Sequence, residues 1–124
     1  MRRSDYTRTH KRADRALYVL HWSRRRVYVG QSIDPKRRWR EHRRGDWTEL
    51  PSSMSLVLVA KNSTEVEAED LEHAIRLVAH WLGYAVFAQP PGIVIGRMRQ
   101  ITWRRRWLAW KLFGKVHQVL KAAR

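Results

Sequence analysis

The chain has no cysteine, which excludes a disulfide framework, a zinc–thiolate centre and a cysteine nucleophile, and it points to an intracellular, cytoplasmic protein. Acidic residues are scarce, with 11 Asp and Glu against 26 Lys and Arg, a formal net charge of +15. That imbalance exceeds what solubility requires and predicts a polyanionic partner. Long apolar runs are also missing. No stretch approaches the roughly 20 residues of a membrane-spanning helix. The opening Met1-Arg2-Arg3-Ser4-Asp5 lacks the apolar centre of a signal peptide, so nucleic acid is expected and a membrane is not. A chain of 124 residues accommodates one core but not two.

Residues 1–15, with Arg2, Arg3, Arg8, Lys11, Arg12 and Arg15, read as a basic N-terminal arm. Ala16-Leu17-Tyr18-Val19-Leu20 and Val27-Tyr28-Val29-Gly30 follow as β-branched and aromatic strands joined by Ser23-Arg24-Arg25. A hairpin centred on Ser23 sets Tyr18 and Tyr28 opposite each other on one face. Asp34 is a candidate N-cap and Pro35 a first helical residue, with the basic helix ending at Gly45. Met54 to Ala60 predicts a third strand. Ser63 or Thr64 then caps an acidic-fronted helix on which Leu71, Ile75, Val78 and Leu82 keep helical spacing, and Gly83 stops it. Phe87 to Gly92 reads as a loop, and about Trp103 to Ala123 as a last helix. The expected fold is α+β, a small three-stranded antiparallel or mixed sheet flanked by helices, with a basic amphipathic helix added at the C-terminus.

Ala16-Leu17-Tyr18, Tyr28-Val29-Gly30 and the following Gln31 to His42 resemble the GIY-YIG nucleases. Ala16-Leu17-Tyr18 stands where that family has Gly-Ile-Tyr, and Tyr28-Val29-Gly30 where it has Tyr-Ile-Gly. The helix carries Arg38 and, one turn later, His42, and Glu72 is the best match to the family's glutamate. Two departures stand out. Ala16 replaces the opening glycine, and the family's late asparagine has no counterpart, Gln89 being the nearest amide. The resemblance implies a core over 16–92, a Trp-rich extension over 93–124, and a metal-dependent endonuclease that hydrolyses phosphodiester bonds in DNA, with RNA not excluded. It implies Glu72 as ligand of Mg2+ or Mn2+, Arg38 on the scissile phosphate and both tyrosines near the nucleophile.

The residue chemistry reads the same way. A carboxylate such as Glu72 suits magnesium, with Glu67 and Glu69 as fallback ligands. The planar fork of Arg38 fits phosphate oxygens. Tyr18 or Tyr28 can orient or deprotonate a water once neighbouring charge lowers its pKa, and His42 can relay a proton. Gly30, Gln31, Lys36, Arg37, Arg40 and Arg43, and further on Arg104, Arg105 and Lys111, are the expected nucleic-acid contacts. Taken singly, a strand tyrosine is ordinary packing, an arginine on a basic helix is solvated, and a glutamate near a helix start favours its dipole. Only the joint spacing raises them to a site. Trp103, Trp107 and Trp110, at i, i+4 and i+7, read first as the core face of a covering helix. A second reading has them, with the interleaved cations, gripping nucleic acid. A basic amphipathic helix can also lie on a membrane, but nothing else in the chain supports that. Monomer and transient dimer both fit, and the competing functions are a non-catalytic nucleic-acid-binding module of the same fold and a basic packaging protein.

Overall fold

The computed structural model describes residues 11–45, 47, 49–89, 93–94 and 102–123. The element order is β1 (Ala13–Trp22), β2 (Arg26–Ser32), α1 (Pro35–Arg43), β3 (Ser53–Ser63), α2 (Glu65–Trp81), β4 (Ala85–Gln89), β5 (Ile93–Val94) and α3 (Trp103–Ala122). The α+β class with helices against a sheet is therefore observed. The strand count is corrected. Among the described residues the sheet has five strands in the order β3-β1-β2-β4-β5, antiparallel except for the parallel β2–β4 pair. The segment read as a loop supplies β4, and β5 lies beyond residue 92, so the sheet runs across the expected core boundary. The N-terminal arm is shorter than expected. Arg15 is buried, donating to the Ser63 and Lys11 carbonyls, and Arg12 pairs with Glu67 at 2.9 Å. Residues 1–10 lie outside the described residues.

Local chemistry explains the helix starts. Asp34 accepts a bond from the Arg37 amide at 3.2 Å with Pro35 in the first turn, and Thr64, not Ser63, accepts from the Glu67 amide at 3.1 Å. Each cap satisfies an amide that the helix itself leaves without a partner.

The β1–β2 register differs from the expected one by two residues. Trp22 pairs with Arg26, so the turn centres on Arg24 and Tyr18 faces Gly30 rather than Tyr28. Arg24 and Arg25 both adopt left-handed backbone, at φ 61° and 54°. Tyr18 and Tyr28 still share a face because Tyr28 lies two residues from Gly30, the residue opposite Tyr18.

Alternation along the hairpin creates two cores. Leu17, Val19, Val27 and Val29 face α2 and α3, joining Ile75, Val78, Val116 and Leu120. Tyr18, Leu20 and Trp22 face the other way, against Trp47, with Tyr28, Trp39, Met54 and Phe87 packed around them. The last helix is part of the first core through Ala109, Val116 and Leu120. The tryptophans read as its core face are not. Trp103, Trp107 and Trp110 point outward, 86%, 54% and 74% exposed.

Gly30 is required by packing. A Cβ there would come within 2.5 Å of the Tyr18 hydroxyl and 2.6 Å of Cζ, so the phenol occupies the space a side chain would take. Replacing Gly30 with Ala overpacks this contact and is expected to cost about 1–3 kcal/mol, read as a lower urea midpoint with unchanged slope.

Candidate active site

The hairpin and α1 meet at Tyr18 and His42. The Tyr18 hydroxyl lies 2.7 Å from His42 Nε2, and both residues are buried. Burial, followed by the Arg38 guanidinium, depresses His42 to about 4, so the ring is neutral near pH 7. With its proton on Nδ1, the neutral ring accepts the phenol's proton at Nε2. Burial pushes the Tyr18 phenol well above its ordinary value, the Tyr28 phenol raises it further, and Arg38 opposes both. Tyr28 is half-buried and also raised, by burial first and then by the Glu72 carboxylate. Its ring packs against His42 with centroids 5.5 Å apart, rather than sharing the hydrogen bond.

His42 is the buried residue of α1. Arg38, four positions earlier, occupies the same helix face and thereby comes to the two phenols. Its Nη1 donates to Glu41 Oε2 at 2.8 Å. Glu41 was not among the expected site residues, although its spacing of three from Arg38 is the sequence signal for such a pair. Trp47 was also missed. It is buried, tilted or edge-on to Tyr28, His42 and Trp22, and walls this face of the site.

Glu72 enters from α2, is 8% exposed, and is held on both oxygens. Gln31 Nε2 donates to Oε2 at 3.0 Å, while Arg76 Nη2 stands 3.7 Å from Oε1. Burial raises the carboxyl above its usual range, and Arg76 and Gln31 work against that rise. Glu72 also raises the pKa of both phenols electrostatically, which ties the α2 carboxylate to the hairpin cluster. Arg76, absent from the sequence reading, is the fourth residue after Glu72 on the helix.

Gln31 therefore orients Glu72, and its second bond, to the Glu65 carbonyl at 3.1 Å, fixes the amide further. Its Oε1 is buried with no hydrogen-bond partner. Carboxylate and amide oxygens are hard donors of the kind Mg2+ and Mn2+ accept, and Gln31 turns its amide nitrogen, not this oxygen, to Glu72. Among the described residues no three His, Cys, Asp or Glu side chains gather into a cluster that could hold a metal ion. Glu69 and Glu67, the fallback ligands, turn elsewhere. Glu69 lies 3.3 Å from His73, and Glu67 bonds Arg12 and Thr64.

The remaining expected contacts divide. Lys36, Arg37, Arg40 and Arg43 are exposed on α1, with Arg37 3.4 Å from Glu41 and Arg43 over the Trp39 ring. Gly30 is buried beneath Tyr18. Arg104 and Arg105 both reach Asp70 on α2, at 3.7 and 3.2 Å, so they join two helices rather than stand as free cations. Lys111 lies over the Trp107 ring, 4.1 Å from its centroid. The backbone of Gln89 ends β4, and its side chain lies outside the described residues. A cavity of about 420 Å³ at the hairpin turn, lined by His21, Arg25, Ser52, Tyr84 and Leu120 among others, is separate from this cluster. Searches against protein families, curated proteins and solved structures return no match for this chain.

A depressed histidine destabilises the fold as pH falls. Between the ordinary value near 6.5 and His42's value of about 4, the unfolded chain takes up a proton that the native chain refuses. Stability is then complete above the upper limit and declines through this window on acidification, with His21 and His73, also depressed by burial, adding to it. Urea midpoints measured from pH 7 to 4.5 are expected to fall for the wild type and to fall less steeply for His42→Gln, which retains an acceptor but does not titrate.

Proposed function

We propose that the protein is a metal-dependent endonuclease of GIY-YIG type, hydrolysing phosphodiester bonds in DNA. The observation that carries this reading is the buried Tyr18–His42 couple at 2.7 Å with Arg38 beside it and the Glu72 carboxylate coupled to the same phenols. Packing alone has no use for a buried carboxylate, two elevated phenols and a guanidinium in one neighbourhood of a basic protein. The +15 charge supports a polyanionic substrate. No helix of the described residues is long and apolar enough to cross a membrane.

In this reading Tyr18, fixed by its hydrogen bond to His42 Nε2, orients the attacking water. The depressed imidazole is a weak base, so its part is to position the phenol by accepting that bond. Arg38 donates to the phosphoryl oxygens as charge builds on them. Glu72 would hold a magnesium or manganese ion, whose charge would offset that of the departing oxygen. The exposed cations of α1 contact the flanking backbone.

A second reading, a binding module without catalysis, is favoured by Arg76 standing beside Glu72 and by Glu41 engaging Arg38. Ala16 and the missing asparagine agree with it. Nicking of supercoiled plasmid with and without magnesium separates the two.

Glu72→Gln is expected to abolish magnesium-dependent nicking while leaving DNA affinity within about twofold, since it adds to an already positive surface. Full cutting by this variant overturns the assignment. Arg38→Ala should lower the cleavage rate by roughly 10²–10³-fold with little change in affinity. Arg40→Ala and Arg43→Ala should do the reverse, and identical behaviour of all three would reduce Arg38 to one more backbone contact.

A further inference from the structure

The outward face of α3 is unlike an ordinary solvated helix face. At 100° per residue, Trp103, Trp107 and Trp110 fall within one narrow stripe opposite Ala109, Val116 and Leu120, which are buried. The stripe covers about 10 Å of helix axis. Lys111 and Lys115 flank it on one side and Arg106 on the other. Lys111 sits on one face of the Trp107 indole. Trp110 continues into a stacked series, with Phe113 at 6.4 Å and Phe113 to His117 at 5.9 Å with nearly parallel rings. Three exposed indoles side by side leave a large apolar area in water, which marks an interaction surface.

Gly114 is the second observation. It lies mid-helix, where glycine weakens a helix relative to alanine, and a Cβ placed on it would meet nothing within 4 Å. No internal contact requires the missing side chain. On the helix surface it falls four positions after Trp110 and seven after Trp107, on the same face and next to the C-terminal end of the stripe. A bare backbone beside the last indole lets a flat ligand stacked on it approach closely.

We infer that this stripe binds unpaired nucleobases, so that the preferred nucleic acid carries a single-stranded segment. Indoles supply stacking faces that every base can use, and the flanking cations meet the phosphates on either side. Duplex DNA hides its base faces, so a duplex would use the cations but not the indoles. The outward positions after Trp110 are Gly114, Gln118 and Lys121, too polar to enter a lipid layer, which argues for bases over a membrane. Asp70 holds Arg104 and Arg105 against α2. The inference rests on the nucleic-acid reading above and names the kind of strand it would take.

The test measures binding in EDTA, where no cleavage is needed, so loss of the nuclease reading and loss of this one are separable. Full-length protein is titrated with a thymidine oligomer, a blunt duplex of equal length, and phosphatidylcholine vesicles containing phosphatidylserine. The oligomer is expected to quench tryptophan fluorescence and to bind more tightly than the duplex. The triple variant Trp103→Ala, Trp107→Ala, Trp110→Ala should lose roughly tenfold or more in affinity for the oligomer, with an unchanged salt slope and at most a slight loss on the duplex. Gly114→Ala should raise the melting temperature by about 2–5 °C yet weaken oligomer binding several-fold, a combination that a purely structural role would not produce. Equal losses on oligomer and duplex, retention of oligomer binding by Gly114→Ala and the triple variant, binding to vesicles in place of oligomer, or a self-associated state that the triple variant abolishes would each overturn the inference.

Discussion

The hydrogen bond between the Tyr18 hydroxyl and His42 Nε2 decides where α1 sits. That helix buries one residue in the protein, His42, and is otherwise basic and half in water. Its anchor is a polar contact inside an aromatic cluster, where a lone donor or acceptor would be costly and a satisfied pair is directional. Gly30 lets the phenol lie across β2, Trp47 closes the far side, and Arg38 follows from the helical repeat. Removing any of these leaves the guanidinium without a defined position relative to the phenols.

Much of this arrangement was legible in the sequence where local chemistry is decisive. The hairpin strands, the Asp34 cap with Pro35, and the acidic-fronted helix with Glu72 correspond to what is observed. The turn centre was not legible because its left-handed positions are arginines, Arg24 and Arg25, instead of glycine or asparagine. β4 was hidden for another reason. It is short, adjoins Pro90-Pro91-Gly92, and pairs in parallel with a strand more than fifty residues earlier, so nothing in its own neighbourhood announces a sheet. On α3 the periodicity was correct and the face was not. Apolar residues occupy both sides of that helix, and spacing cannot say which side meets the core. The smaller Ala109, Val116 and Leu120 pack closely against α2, while the indoles remain outside.

Charge counting was similarly incomplete. The basic excess is real, but it is not a uniform positive coat. Asp70 takes up both Arg104 and Arg105, Arg12 is paired with Glu67, and Arg15 is buried in carbonyl contacts. These cations hold elements together. Those on α1 remain available to solvent, and so the positive field is concentrated beside the Tyr18–His42 couple more than the composition implies.

The Glu41–Arg38 pair carries a last consequence. One of the guanidinium's hydrogen bonds is already made to a carboxylate oxygen, and the fork is ordered before any ligand arrives. An incoming anion therefore meets a side chain whose rotamers are settled and gives up less entropy in binding it. It must also displace a resident competitor. In the proposed nuclease, a substrate phosphate would exchange with this carboxylate oxygen for the same N–H donor of Arg38.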